Sequence, residues 1–341
     1  MLTALIRRRA GLLVGAGLLL AVLLALAVVA FGGGADVVVY NGRSQYGDEA
    51  AFKSFEDATG KRIELRGGTA PELFERLRSE GSETPADLLV TTDLANLWRA
   101  KEAGLLAPVS TPALERQVPE QWRDPDGDWW GLSLRIRTPM RSTSVDPKLV
   151  QSYEDLGDPR WKGELCLRTS NNEYNQSFVA DMIAKRGADA TEELLRSWMA
   201  NDPTIITSDS ELIAAIAAGE CDVGLTNHYY LARALQEDPD LPVAPAWPDQ
   251  DGAGAHANIS GAGVVTWTDR RDDAVALIEY LTSADAQEGF TAGGEFAANP
   301  EVPPDPAVAD WADVTTDPIA VNEAGPLLEQ ATQLMLDVGW N

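Results

Sequence analysis

Short apolar runs rich in Val and Leu alternate with helix-like segments along this chain, and that alternation constrains the fold more than any other feature. The first run, Asp36-Val-Val-Val-Tyr40, ends in Asn41-Gly42, a buried strand entering a turn. A helical pattern follows over residues 48–58, with Ala51, Phe52, Phe55 and Ala58 on one face. Arg62-Ile-Glu-Leu-Arg66 alternates as a strand. Thr69-Ala-Pro-Glu72 has the form of a capping box with Pro in the first turn, opening a helix that ends near Gly81. Asp87-Leu-Leu-Val-Thr91 is another buried strand. This order and spacing imply right-handed crossovers and a largely parallel sheet. The pattern returns over 164–168 as strand, 175–186, 191–200 and 210–218 as helices, and Cys221-Asp-Val-Gly-Leu225 as a strand. Residues 261–266 and 271–282 add a later strand and helix. In open α/β sheets ligands bind beyond the carboxyl ends of the strands. The stretches of interest are therefore Asn41 to Tyr46, Thr92-Asp93, Asn171 to Tyr174 and Asn227 to Tyr230.

The N-terminus reads as an export signal. Arg7, Arg8 and Arg9 precede an uncharged stretch from Ala10 to Phe31, closed by Gly32 to Gly34. That stretch is also long enough to span a bilayer. Cleavage near Ala35 and retention as a membrane tether both remain open; a lipoprotein anchor is not expected, since no Cys lies near its end. The remaining length, about 300 residues, suits two lobes better than one small core. A net charge of −26 repels nucleic acid and anionic lipid, so neither is an expected partner. Cys166 and Cys221 are the only cysteines, and in an oxidising compartment they are expected to pair.

The post-strand stretches are rich in tyrosine and amides and poor in catalytic apparatus. The sequence has no GxSxG elbow, no P-loop, no GxGxxG after a strand and no HExxH. With two histidines in all, His228 and His256, acid–base or zinc chemistry has little to draw on, and an enzyme is not expected. Tyr229-Tyr230 falls where a strand hands over to a helix, and the positive end of the helix dipole favours phenol ionisation there. A phenolate is a hard oxygen donor suited to a hard cation such as Fe(III). On spacing alone the pair could equally pack a lid or stack on a sugar.

The string Thr226-Asn-His-Tyr-Tyr-Leu-Ala-Arg233 resembles the double-tyrosine motif of the ferric-iron-binding periplasmic proteins, receptors of the type II solute-binding fold that serve ABC importers. Val39-Tyr-Asn-Gly-Arg43, Pro85-Ala-Asp-Leu-Leu-Val-Thr-Thr-Asp93, Trp161-Lys-Gly163, Arg168-Thr-Ser-Asn-Asn-Glu-Tyr-Asn-Gln-Ser177 and Asn258-Ile-Ser-Gly-Ala-Gly263 resemble that family in the same order. The closing Leu327-Leu-Glu-Gln330 and Gly339-Trp340 fit as well. The resemblance implies that Tyr229 and Tyr230 are paired phenolate ligands and that Tyr174 is the third tyrosine of a phenolate-rich subgroup. Arg135 or Arg137 then matches the arginine that faces the metal or holds a helper anion such as carbonate. One departure stands out: relatives place His, often with Tyr, straight after the first-loop Arg, where this chain has Ser44 and Gln45. Either Tyr46 serves as a fourth ligand, or water or an anion fills the gap. Thr92 stands where some relatives carry a ligand Glu, with Asp93 beside it as a candidate to bind the anion or to support the ligands from behind.

The expected fold is thus a two-lobed α/β receptor with mixed sheets and crossover strands near 134–138 and 258–265 forming a hinge. Its expected parts are residues 1–35 as signal or anchor, 36–136 plus 262–300 as N-lobe, and 137–261 plus 301–341 as C-lobe. The resemblance implies a periplasmic monomer that captures Fe(III) and docks on a permease. The altered first loop keeps a second reading alive, a same-fold receptor for a polyamine, thiamine or phosphonate.

Overall fold

The computed structural model describes residues 34–43 and 49–341; Ser44, Tyr46 and residues 1–33 of the expected export segment lie outside them. Twelve strands run through the described residues. They are β1 (Val37–Asn41), β2 (Ile63–Gly67), β3 (Leu88–Thr91), β4 (Leu106–Ala107), β5 (Trp130–Ser142) and β6 (Leu165–Arg168). They continue as β7 (Thr204–Ile206), β8 (Val223–Asn227), β9 (Val243–Pro245), β10 (Ala255–Val265), β11 (Phe296–Ala297) and β12 (Thr316–Pro318).

Local chemistry explains where the elements begin and end. The β-branched run of β1 is buried along its whole length. Thr69 and Glu72 close the expected capping box, with Thr69 N–H donating to Glu72 at 3.0 Å and Glu72 N–H donating to Thr69 at 3.4 Å. Ser208 caps the Asp209–Ala218 helix, and Gly219 at φ 75° ends it in the left-handed region that glycine adopts freely. Asn172 caps the helix Glu173–Arg186, which starts two residues before the expected position. Its side-chain oxygen takes the Tyr174 N–H at 3.1 Å, so Tyr174 lies in the first turn of a helix rather than in a loop.

The strand path runs β2-β1-β3-β10-β5-β8-β6-β7. Pairing is parallel within the β-α-β units, β1 with β2 and β3, and β6 with β7 and β8. It is antiparallel where β10 meets β3 and β5 and where β5 meets β8. Parallel neighbours require a crossover element, and the two long strands at the middle of the path, β10 and β5, instead pair antiparallel with each other and with β3 and β8. Strand β5 serves two sheets: its residues from Trp130 to Ile136 pair with β10, and those from Arg137 to Arg141 pair with β8. Together β5 and β10 contain both segments expected to cross between lobes.

Cys166 on β6 and Cys221, just before β8, form a disulfide with Cα atoms 5.9 Å apart and a sequence separation of 55. The adjacent parallel strands bring them together, in register from Leu165–Val223 to Leu167–Leu225. The bridge is buried against Leu212, Ile216 and Leu231. Closing a loop of that length stabilises by about 4 kcal/mol in the chain-entropy picture. Denatured, unreduced protein should therefore show no free thiol, and reduction should lower the urea midpoint by a matching amount. Two titratable thiols before reduction would contradict this.

Candidate metal centre

Strand β8 delivers the chain directly into the helix His228–Glu237, with Asn227 in extended geometry as its N-cap. Tyr229 and Tyr230 occupy the first turn, their rings 4.3 Å apart at 33°. Tyr229 is fully buried and Tyr230 partly exposed. Tyr174 sits in the first turn of the Glu173–Arg186 helix and is 4% exposed. All three phenols are thus carried at helix N-termini, where backbone dipoles favour negative charge. Arg233 lies over the Tyr229 ring at 4.8 Å and Arg135 over the Tyr174 ring at 5.4 Å.

Beneath these rings lies a buried charge cluster on the second-sheet side. Asp209 accepts from Arg137 Nη1 at 3.4 Å, from the Thr226 hydroxyl at 2.6 Å, and from Arg168 Nη1. Arg137 also donates to Asn227 Oδ1 at 3.1 Å and Asn175 Oδ1 at 2.6 Å, so one guanidinium ties together the two segments that carry the tyrosines. Burial pulls the Arg137 guanidinium below its usual range despite Asp209. For Arg168, burial acts the same way but the Asp209 carboxylate outweighs it, and the group is held above its usual range. Tyr174 and Tyr230 act electrostatically on Arg168, and Tyr229 acts on Arg137.

A second buried cluster lies on the first-sheet side. Glu295 binds Arg43 Nη1 at 3.1 Å and Arg135 Nη2 at 3.3 Å, and accepts from the Ser133 hydroxyl. Arg43 also donates to Ser133 at 3.0 Å and to Ser260 at 2.7 Å. Burial pushes the Glu295 carboxyl up, but Arg135 and Arg43 prevail and hold it at about 2. Of the two arginines singled out from sequence, Arg135 is thus bound to Glu295 and Arg137 to Asp209. Sequence reasoning did not single out Glu295, Asp209 or Arg168 as site residues. Arg168 opens one of the recognised motifs, whereas no local pattern marks the other two.

Asp93 caps the helix Leu94–Glu102 and accepts from Ala95 N–H at 2.7 Å. It also accepts from the Ser177 hydroxyl at 2.9 Å and Asn258 Nδ2 at 2.7 Å. Burial first, and then the Glu173 charge, push its carboxyl up to about 7. The Thr92 hydroxyl donates to Glu173 Oε1 at 2.9 Å. These bonds join the end of β3 to the helix that carries Tyr174. His228 is turned toward the backbone of β5, its Nδ1 accepting from Ile136 N–H at 3.0 Å and its ring stacked on Phe296 at 4.9 Å. Burial lowers its pKa to about 4. The acids Asp124, Asp126 and Asp128 lie close enough to share an ion, but the Lys101 ammonium binds Asp124 at 2.7 Å and Asp126 at 2.9 Å.

A family model for bacterial extracellular solute-binding proteins matches residues 83–314. Iron uptake protein A1 of Synechocystis sp. is 38% identical over 316 residues, covering 89% of this chain and 87% of that protein. The Fe(3+)-binding periplasmic protein of Serratia marcescens is 28% identical over 282 residues, 79% of this chain and 82% of that protein. The Trichodesmium protein solved in complex with iron and citrate ligands superposes with a TM-score of 0.84 at 36% identity, covering 89% of this chain and 99% of that one. The mixed sheets joined through β5 are the two-lobed α/β fold of these proteins, and like them the chain is a solute-binding protein rather than an enzyme. On fold, site and similarity together, the chain belongs to the bacterial extracellular solute-binding protein family.

Proposed function

We propose that this chain captures Fe(III) through the phenolates of Tyr174, Tyr229 and Tyr230 and delivers it to the permease of an ABC importer. The observation that carries the reading is that the three tyrosines stand in the first turns of two helices whose starts Arg137 ties together, through Asn175 beside Tyr174 and Asn227 just before Tyr229 and Tyr230. The names of the relatives, an iron uptake protein and an Fe(3+)-binding periplasmic protein, support iron as cargo. A tyrosine of pKa about 10 is neutral at pH 7, so Fe(III) must displace each phenolic proton as it binds. Hard oxygen donors suit that ion, and the nearby guanidiniums lower the cost of gathering several phenolates.

Tyr46 is the proposed fourth ligand, and Ser44, two positions earlier in sequence, a proposed anion-binding residue. Arg135 and Arg137 are the proposed supports for a helper anion such as carbonate, acting as buried charges. Asp93 acts from behind the site through Ser177 and Asn258. The proposed lobes are 36–136 plus 262–300 and 137–261 plus 301–341, closing as a monomer by hinge motion about the crossover strands. The place of action is the periplasm, which fits the export segment. If that segment is cleaved, the secreted protein will begin between Phe31 and Asp36. An intact mass that starts at Met1 in the membrane fraction would show a retained tether instead.

The direct test is to add ferric citrate to the purified protein. A red-orange phenolate-to-iron charge-transfer band is expected. Absence of the band would favour the same-fold receptor for an organic or anionic solute.

A further inference from the structure

A cavity of about 450 Å³ lies against the far half of the helix that carries Tyr174. Small organic ligands occupy spaces of about 300–1,000 Å³. Asp181 on its wall stands seven residues beyond Tyr174, roughly 10 Å along the helix, so the cavity is separate from the metal centre. The rings of Tyr153 and Phe178, 5.0 Å apart, give it an apolar side. The Tyr153 hydroxyl is already engaged, donating to the Arg137 carbonyl at 2.7 Å and accepting from His256 N–H at 2.9 Å.

Nearly every charge on the lining is matched. Lys185 meets Asp181 at 2.9 Å, Asp317 at 2.7 Å and the Pro318 carbonyl at 2.8 Å, which occupies its three N–H donors. Arg186 is paired with Glu154 at 2.6 Å. Asp249 is the exception: it lines the cavity, yet its carboxylate has no hydrogen bond or ion pair among the described residues. Its backbone sits at φ 54°, with Gly252 and Gly254 N–H groups donating to its carbonyl at 2.8 and 3.0 Å. His256 lines the same space. The Asp181 carboxylate, 2.9 Å from His256 Nδ1, can only accept, so Nδ1 carries the proton and Nε2 of the neutral ring offers a lone pair. That buried Nε2 has no partner among the described residues.

We propose that this cavity binds a small organic cation, an ammonium or guanidinium on an apolar body, paired with Asp249 and covered by Tyr153 and Phe178. Aromatic faces attract cationic groups as well as apolar carbon. An anion would meet the opposite field, since Glu154, Asp155 and Asp317 act on Asp249 against Arg186 alone. No three of the lining carboxylates and His256 converge closely enough to share a metal ion, which favours an organic cation. The inference uses no part of the iron site and is measured without iron.

Iron-free protein should be titrated calorimetrically with phenethylamine, phenethyl alcohol and phenylacetate, which share a ring and differ in charge. Phenethylamine is expected to bind, the alcohol to bind about tenfold more weakly, and phenylacetate not to bind. Asp249→Asn should weaken the amine about tenfold, the loss of one charge-assisted hydrogen bond, and erase its advantage over the alcohol. Asn tolerates the left-handed backbone, so the turn should survive the change. Ala253→Trp, at an exposed position on the lining, should fill the space and block both ligands. Unchanged melting temperatures establish that the variants are folded, and both should keep the iron band, since neither position lies in the metal centre. Equal affinity for amine and alcohol, wild-type affinity in Asp249→Asn, or no binding of the amine at millimolar concentration would overturn the proposal. A missing iron band with an intact amine response would instead count against the phenolate site alone.

Discussion

Tyr229→Phe and Tyr230→Phe are each expected to abolish most of the visible band and weaken Fe(III) binding by more than about 100-fold. Loss of outer-shell partners alone costs roughly 10- to 100-fold in metal affinity, so loss of a direct donor should exceed that range. Phe keeps the ring and its packing, including the 4.3 Å contact between the two rings, so a lid or stacking role would survive the change. Tyr174→Phe should behave likewise. Tyr46→Phe then decides the fourth position: a comparable loss makes it a ligand, and a small effect leaves that place to water or an anion. Because binding through three phenolates releases three protons, affinity should fall by up to about a thousandfold per pH unit on acidification. Wild-type colour and affinity in both the Tyr229 and Tyr230 variants would refute the site and promote the organic-solute reading.

Glu295→Ala should be the most destabilising change away from the phenols. It would leave the Arg43 and Arg135 guanidiniums buried without their shared carboxylate, a class of defect that costs about 3–5 kcal/mol. Glu295→Gln keeps the shape and should lose less. The same carboxyl sets an acid limit. Its folded-state pKa, about 2, lies below the unfolded value, so its contribution is fully present above the ordinary glutamate range and is lost as pH falls toward about 2. That contribution is roughly 3 kcal/mol. Denaturant midpoints from pH 7 down to pH 2 should therefore fall more steeply for the native protein than for Glu295→Gln. Parallel curves would mean that Glu295 is not the group responsible.

Much of the framework was legible because its causes are local. Alternation in 36–91 and the Thr69–Glu72 capping box depend on residues within one turn or one strand, and both elements form where the pattern places them. The disulfide was legible because two cysteines allow a single intrachain pairing. The helix carrying Tyr174 begins earlier than its apolar periodicity suggests, since its start is set by the Asn172 cap and not by burial.

The buried charges belong to the tertiary structure. Glu295 follows a short helix in an unremarkable stretch, and its partners come from positions 43, 133 and 135, brought together only when β1, β5 and β10 assemble. Such a charge is tolerable in the interior only with those partners present, and no window of sequence contains them. The same limit separates Arg135 from Arg137. Residues two apart on a strand share a face, so alternation alone gives both the same destination. Strand β5 leaves β10 for β8 between Ile136 and Arg137, and that exchange of partner sends Arg135 to Glu295 and Arg137 to Asp209.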